Sequence, residues 1–336
     1  MLQEKSVSPF LLVRAQRRST FMKVGIIGGG KVGCTLATYL NKHAALVGIT
    51  ASTAERSQAL AQRFSVTPCT NSELVAKADV VLVTVPDRLI STVAGKLLAE
   101  LDTAALANLN EKVFLHCSGS LGLEELAPLA QAGAHTGSLH PLQSFASDGV
   151  SGALTELRGV YMAVDGDDMA QAAAQELAAL LGGHAFHVPA DERAAYHAAA
   201  CICSNYAVAV EALAQQLMSR WLGDEAAAWQ ALLPLFKGTA ANLERTSSPR
   251  TVLTGPIARG DANTVAKHLA VLPEELQRSY RTLGLTTTQL ALTNGTIDEQ
   301  TAELLEQLLG HYFIGGTNNG NEKRYCCNYQ RNEAKG

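Results

Sequence analysis

The stretch Lys23-Val-Gly-Ile-Ile-Gly-Gly-Gly-Lys-Val-Gly33 decides the reading of the fold. Val24, Ile26 and Ile27 have the apolar density of a buried parallel strand, and the glycines then turn the chain into a helix starting near Lys31. The spacing is Gly28-x-Gly30-x-x-Gly33. Gly28 suits a tight turn, Gly30 a close approach of backbone to a pyrophosphate, and Gly33 close packing of helix on strand. The helix start, with Lys31 and Val32, offers N–H groups and the positive end of a dipole to phosphate. Such a hexad is weak evidence alone, but here a strand precedes it and an amphipathic run (Val32, Leu36, Tyr39, Leu40) follows it.

Outward from this motif the chain alternates strand and helix. Expected strands are 45–49, 65–69, 79–85, 112–116, 134–139, 159–164 and 184–188, and expected helices are 31–42, 88–101, 123–131 and 168–181. This is an α/β domain with a mostly parallel, doubly wound sheet, spanning 22–189. A dinucleotide site that prefers NAD places Asp or Glu about 20 residues beyond the glycines. Here the chain reads Thr50-Ala-Ser-Thr-Ala-Glu-Arg56, and Glu55 already falls in the next helix. Ser52 and Thr53 can bond a 2′-phosphate and Arg56 can pair with its charge, so NADP is expected over NAD; otherwise Ser52 caps the helix and Arg56 is solvated.

In an open α/β sheet, ligands lie beyond the carboxyl ends of the strands. Val85 and Pro86 are therefore expected to line the cofactor, with Asp87 as N-cap of the helix that follows. Ser118 and His140, at two further strand ends, are candidate neighbours of a nicotinamide ring, or else turn residues that satisfy backbone groups.

From Asp191 the pattern becomes almost wholly helical and Ala-rich, an all-α domain over 190–313. Its first long helix, 191–222, places His197, Cys201 and Asn205 at i, i+4 and i+8, with Ser204 beside them. Polar groups on an apolar helix need partners, which a substrate cleft or neighbouring helices would supply. Asn242 lies near a helix end. Arg259, in a loop that Gly255-Pro256 breaks open and Asp261 closes as a cap, is a candidate clamp for an anionic substrate group, or a solvated or ion-paired charge.

The chain has 336 residues, ample for two cores, and a net charge of −4 that gives no electrostatic footprint for nucleic acid or an anionic membrane. No apolar run is expected to span a bilayer. Seven cysteines, mostly in apolar segments, suit reduced thiols and a cytoplasmic protein, and Cys201-x-Cys203 lacks the spacing of a zinc site. Residues 1–21 and 314–336 are expected to be a disordered extension and tail, with a basic transit peptide as an alternative for the first.

Taken together, Val85-Pro-Asp87, His116-Cys-Ser-Gly119, Ser138-Leu-His-Pro-Leu142, Tyr196-His-x6-Ser-Asn-Tyr206 and Leu253-Thr-Gly-Pro-Ile-Ala-Arg-Gly-Asp261 resemble a family of bacterial Rossmann-like proteins. Its members carry a helical C-terminal domain of unknown function and are named as NADP oxidoreductases, similar to deazaflavin-dependent NADP oxidoreductases and pyrroline-5-carboxylate reductases. The resemblance spans residues 22–312 and implies wider kinship with 6-phosphogluconate and β-hydroxyacid dehydrogenases and ketopantoate reductase. That group usually carries a catalytic Lys, then Asn at i+4, on the first long helix. Here His197 stands at the Lys position, Cys201 at the Asn, and Asn205 one turn on.

The reading that follows is an NADP-dependent reductase or dehydrogenase for a small polar carbonyl, hydroxyl or imine compound. His197 exchanges the proton, Asn205 orients, Ser118 and His140 bound the nicotinamide, and Arg259 and Asn242 hold substrate. No metal is expected, and the helical domain is expected to join a homodimer. The rival is a non-catalytic NADP-binding regulator or scaffold, which the absent Lys favours.

Overall fold

The computed structural model describes residues 22–147 and 153–310. Of these, residues up to Ala209 form one compact unit and those from Val210 a second. The expected extension 1–21 and tail 314–336 lie outside the described residues.

The first unit holds β1 (Val24–Ile27), α1 (Lys31–Lys42), β2 (Leu46–Thr50), α2 (Ala54–Phe64), α3 (Asn71–Lys77), β3 (Val80–Val83), α4 (Ile90–Glu100) and α5 (Thr103–Ala107). It continues through β4 (Val113–His116), α6 (Ala127–Gln131), β5 (His135–Pro141), β6 (Tyr161–Gly166), α7 (Asp168–Leu180), β7 (His184–His187) and α8 (Arg193–Cys203). The strands form one sheet in the order β2-β1-β3-β4-β5-β6-β7, parallel throughout except for the antiparallel pair β5–β6. Every residue of β1, β3 and β4 is buried, as helices on both faces require. The expected Rossmann-type α/β fold is the one the chain adopts.

One expected strand is absent. At 65–69 the chain makes no strand: Ser65, at φ 54°, closes α2 in the left-handed conformation, and the Thr70–Glu73 capping box then starts α3. Leu74 and the Cys69 thiol sit against Gly48, where an added Cβ would lie 2.6 and 2.9 Å from them, so this segment covers a sheet face and does not extend its edge. In this order β1 lies between β2 and β3, and the topological switch point falls at the carboxyl ends of β1 and β3.

Close approach fixes how α1 meets β1. A Cβ on Gly33 would stand 2.0 Å from the Gly28 carbonyl oxygen and 2.6 Å from Thr84 Oγ1. Backbone cannot yield as a side-chain tip can, so this contact demands glycine.

The expected single helix 191–222 is interrupted at Ser204, giving α8 and then α9 (Asn205–Leu222). His197 and Cys201 share a face of α8, while Asn205 opens the next helix and is exposed. The expectation that no run could span a bilayer needs correcting, because Ala190–Leu222 reaches the necessary length with a mean hydropathy of 1.2. Its many alanines raise the average without supplying large side chains to a core. Taken across the break at Ser204, it is by length and composition the one such stretch among the described residues, and none of its apolar window is buried.

The second unit adds α10 (Glu225–Glu244), α11 (Ala262–Val271), α12 (Glu274–Thr293) and α13 (Glu299–Gly310). Its core joins Ile257, Val265, Leu269, Ala291, Ile297, Leu305 and Leu309. Asp261 caps α11 as expected, accepting from the Thr264 N–H at 3.0 Å.

Gly33→Ala should cost about 1–3 kcal/mol, the range for overpacking a tight contact. Thermal denaturation reads this, with Gly30→Ala as a control that leaves the melting temperature in place.

Candidate active site

The site is built on the carboxyl ends of β1, β3, β4 and β5. Gly28 turns the chain at φ +119°, where a Cβ would meet the Thr84 carbonyl at 2.8 Å, and Thr84 Oγ1 donates to the Gly28 carbonyl at 2.7 Å. Gly30 is different in kind. Its φ of −81° suits any residue, and nothing lies within 4 Å of an added Cβ. Neither strain nor packing in the protein explains a glycine there. Gly30 is also the N-cap of α1, with no side-chain cap and no acidic residue in the first turn, so the first N–H groups are left for another acceptor. A groove of about 350 Å³ opens at this point, lined by Gly30, Lys31, Val32, Val85, Pro86 and Asp87, with Cys117 and Phe145 across it.

Beyond β2, Thr53 rather than Ser52 caps α2, accepting from the Arg56 N–H at 3.3 Å. The exposed Arg56 guanidinium lies 3.5 Å from the Gly29 carbonyl, directly over the glycine loop. Glu55 is in α2, as expected, and the end of β2 presents no carboxylate.

Asp87 does not cap a helix. A short 3-10 turn (Asp87–Leu89) precedes α4, and neither has a side-chain cap. Instead Asp87 Oδ2 accepts from Ser118 Oγ at 2.7 Å and from Ser120 Oγ at 3.4 Å. A carboxylate in the groove wall is thereby tied to the loop after β4. Ser118 is buried, and its hydroxyl also accepts from the N–H groups of Ser120 (3.3 Å) and Leu121 (3.2 Å).

His116, at the end of β4, braces the same loop. Its Nδ1 accepts from the Ser118 N–H at 3.3 Å, so the Nε2–H donates to the Gly122 carbonyl at 3.1 Å. Both bonds need the neutral ring. Burial first, and the charge of Arg193 second, hold its pKa down at about 4.

Arg193 opens α8 and is fully buried. Its Nη2 donates to the Ser118 carbonyl and its Nη1 to Ser138 Oγ, both at 2.7 Å. The acceptors are neutral, and Nε has no partner. One turn on, Tyr196 Oη and His140 Nδ1 share a hydrogen bond of 2.7 Å. Burial, then the charges of His197 and Arg193, lower the His140 pKa to about 4, while burial pushes the Tyr196 phenol up to about 12. His197 stands edge-on to His140 with ring centres 6.0 Å apart. A Cβ on Gly119 would lie 2.6 Å from His197 Nδ1 and 2.8 Å from His140 Nε2. Both imidazoles thus close on one glycine, and His197 Nδ1 is buried without a partner.

Of the residues singled out from sequence, the structure brings Ser118, His140 and His197 together and leaves the exposed Asn205 past the helix break. Arg259 and Asn242 belong to the second unit and are exposed there, Arg259 in a 3-10 turn beside Asp261 and Asn242 near the end of α10. Sequence reasoning passed over His116, Arg193, Tyr196 and Ser138 in this cluster. His116, Ser138 and Tyr196 stand inside the quoted motifs, but Arg193 carries no sequence signal beyond following Glu192 at a helix start. Among the described residues no group of His, Cys, Asp and Glu could hold a metal.

Acid should weaken the fold through His116. The unfolded ring titrates near 6.5 and the folded one near 4, so between these values only the unfolded chain takes the proton. Stability is then complete above the upper value and falls as pH drops toward the lower, by roughly 3 kcal/mol from this residue. Urea denaturation across that range should show the loss in the wild type and a flatter profile in His116→Gln.

Comparison with known proteins places these features. Residues 12–141 match a Rossmann-like domain, and residues 160–287 match a domain of unknown function, DUF2520. No curated protein matches the chain in sequence. Among solved structures, a Bacteroides fragilis protein provisionally named an NADP oxidoreductase aligns with TM-score 0.64 and 22% identity, over 80% of this chain and 98% of that one. A Thermotoga maritima protein aligns with TM-score 0.55 and 26% identity over 85% and 98%. The 1-pyrroline-5-carboxylate reductase of Streptococcus pyogenes aligns with TM-score 0.54 and 20% identity over 86% and 100%. The two matches follow one another along the chain, in the order of the domain pair that its motifs resemble.

Proposed function

We propose that this protein is an NADP(H)-dependent oxidoreductase acting on a small polar substrate. Gly30 carries the reading: a glycine that the protein itself does not require, at an uncapped helix start on the switch point, leaves room for phosphate against backbone. Gly28, Lys31, Val32 and Gly33 complete that cradle, while Val85 and Pro86 line the groove beside it. Ser52, Thr53 and Arg56 suit a 2′-phosphate, since Arg56 overhangs the loop and no carboxylate stands there to prefer a ribose hydroxyl. Solved relatives point the same way: a Plasmodium falciparum pyrroline carboxylate reductase holds NADP and an Aspergillus terreus reductive aminase holds NADPH.

A reduced nicotinamide supplies hydride when bound. The chain's own part is to orient substrate and manage a proton at Ser118, His140 and His197. An unbonded buried polar atom costs about 1–3 kcal/mol, and a substrate hydrogen bond to His197 Nδ1 relieves that cost. Arg259, Asn242 and Asn205 are the second group of proposed substrate contacts. The regulatory alternative rests on the same cofactor cradle with no turnover.

Calorimetry on the wild type should show NADPH binding more tightly than NADH. Gly30→Val should abolish binding while the melting temperature holds. Undiminished affinity in that variant removes the phosphate-loop reading, and turnover of a panel of 2-oxo acids, aldehydes and cyclic imines separates enzyme from regulator.

We further propose a homodimer through the helical region. No residue of α9 is buried, only Ala228 of α10 is, and Val208, Trp221 and Leu235 are each about 70% exposed. An apolar surface of this kind is typical of an interface. Light scattering at micromolar concentration should give twice the chain mass, and a monomer would count against it.

A further inference from the structure

We propose that Tyr196 is the proton donor of this site, that His140 is the positioning residue that turns its proton outward, and that the acceptor is the oxygen of a carbonyl substrate. The proposal rests on the oxidoreductase reading and goes beyond it by choosing the donor and the substrate class.

The geometry begins with the shared hydrogen bond of 2.7 Å between Tyr196 Oη and His140 Nδ1. A phenol has one proton. If His140 carries hydrogen on Nδ1, that N–H donates to the phenol oxygen and leaves the tyrosine O–H free to point elsewhere. Tyr196 is only partly buried, unlike Arg193 one turn before it. The ring neighbours hold it in place: Phe186 packs edge-on at 5.8 Å and His140 at 5.6 Å.

Arg193 supplies the electrostatic half. It is enclosed one turn before Tyr196 on α8, and its two bonded nitrogens meet only a hydroxyl and a carbonyl. No carboxylate bonds it, and Asp165 and Glu124 act on it only through space, so a positive charge remains in direct contact with this low-dielectric cluster. It works against any cation that forms nearby and favours an anion. As the carbonyl carbon accepts hydride from the reduced dinucleotide, its π pair moves to oxygen. That oxygen bonds the Tyr196 proton, the phenolic O–H bond breaks, and its electron pair stays on the phenolate. The His140 N–H and the Arg193 charge stabilise the phenolate until a solvent proton restores it.

The same field selects the substrate. An iminium ion arrives positively charged and becomes a neutral amine on taking hydride, so it needs a cation-stabilising site and no acid. A carbonyl is neutral, becomes an anion, and needs an acid. Asp87, the carboxylate of the groove wall, is occupied by Ser118 and Ser120. The neutral phenol, neutral imidazoles and enclosed guanidinium fit the carbonyl.

Two readouts test this. With histidine labelled by nitrogen-15, and the His140 signals assigned through His140→Gln, NMR at neutral pH should show the proton on Nδ1. A bare Nδ1 accepting from the tyrosine overturns the proposal with no assay of turnover. In kinetics, Tyr196→Phe should bind NADPH as the wild type does and reduce 2-oxo acids or aldehydes roughly 10²–10⁴-fold more slowly. Full turnover by Tyr196→Phe, or a wild type that reduces cyclic imines but no carbonyl, overturns the proposal and leaves the oxidoreductase reading standing. A wild type that binds NADPH and reduces neither class removes both.

Discussion

A guanidinium sealed inside the first unit, bonded to a serine hydroxyl and a peptide carbonyl and to no carboxylate, organises the chemistry of this protein. Breaking a buried charge's bonds costs several kcal/mol, so the two 2.7 Å contacts of Arg193 fix the start of α8 against the ends of β4 and β5. That clamp sets where Tyr196 and His197 emerge, one turn further on. Its charge then acts on what surrounds it, helping to hold His116 and His140 neutral well below physiological pH. One side chain therefore fixes the position of the cluster and adds to what burial does to its protonation.

The cluster and the groove are not separate structures. Asp87 lines the groove and accepts from Ser118, whose carbonyl accepts from Arg193. His116 braces the loop between them from below, with both ring nitrogens used. Gly119 completes the link, because any Cβ there would collide with His140 and His197. From groove wall to phenol the path is an unbroken series of hydrogen bonds and van der Waals contacts, and a buried polar series of this kind is rigid only while every member is partnered. His197 Nδ1 and Arg193 Nε are the atoms of the series that are not.

Much of this was legible in sequence, for reasons that differ by element. β1, β3 and β4 announced themselves because burial on both faces demands unbroken apolar runs. The glycine motif was legible by its spacing, although only Gly28 and Gly33 answer a steric demand within the protein and Gly30 answers none. Ser118 and His140 followed from the rule that function gathers at strand ends. What failed was local competition. The segment 65–69 has strand-like composition, but a left-handed cap and a capping box take it out of the sheet. Asp87 has every local property of an N-cap and is claimed by Ser118, 31 residues away. The single helix 191–222 reads as continuous by period, and nothing in its pattern marks the interruption at Ser204 that parts Asn205 from His197.

Arg193 illustrates the limit of reading along the chain. In sequence it is one more charge near a helix start, among Asp191 and Glu192, and the ordinary expectation for arginine is solvent. Its burial follows from contacts with Ser118 and Ser138, 75 and 55 residues distant. Those partners are neutral, and the absence of a bonded carboxylate is what gives the residue its effect. A paired arginine would remove one of the charges that hold His140 down, leaving burial and His197 as the leading causes. On this helix the positive charge stands one turn before His197, enclosed by Ser118 and Ser138 and permanent, and the groups it faces at the strand ends are held neutral.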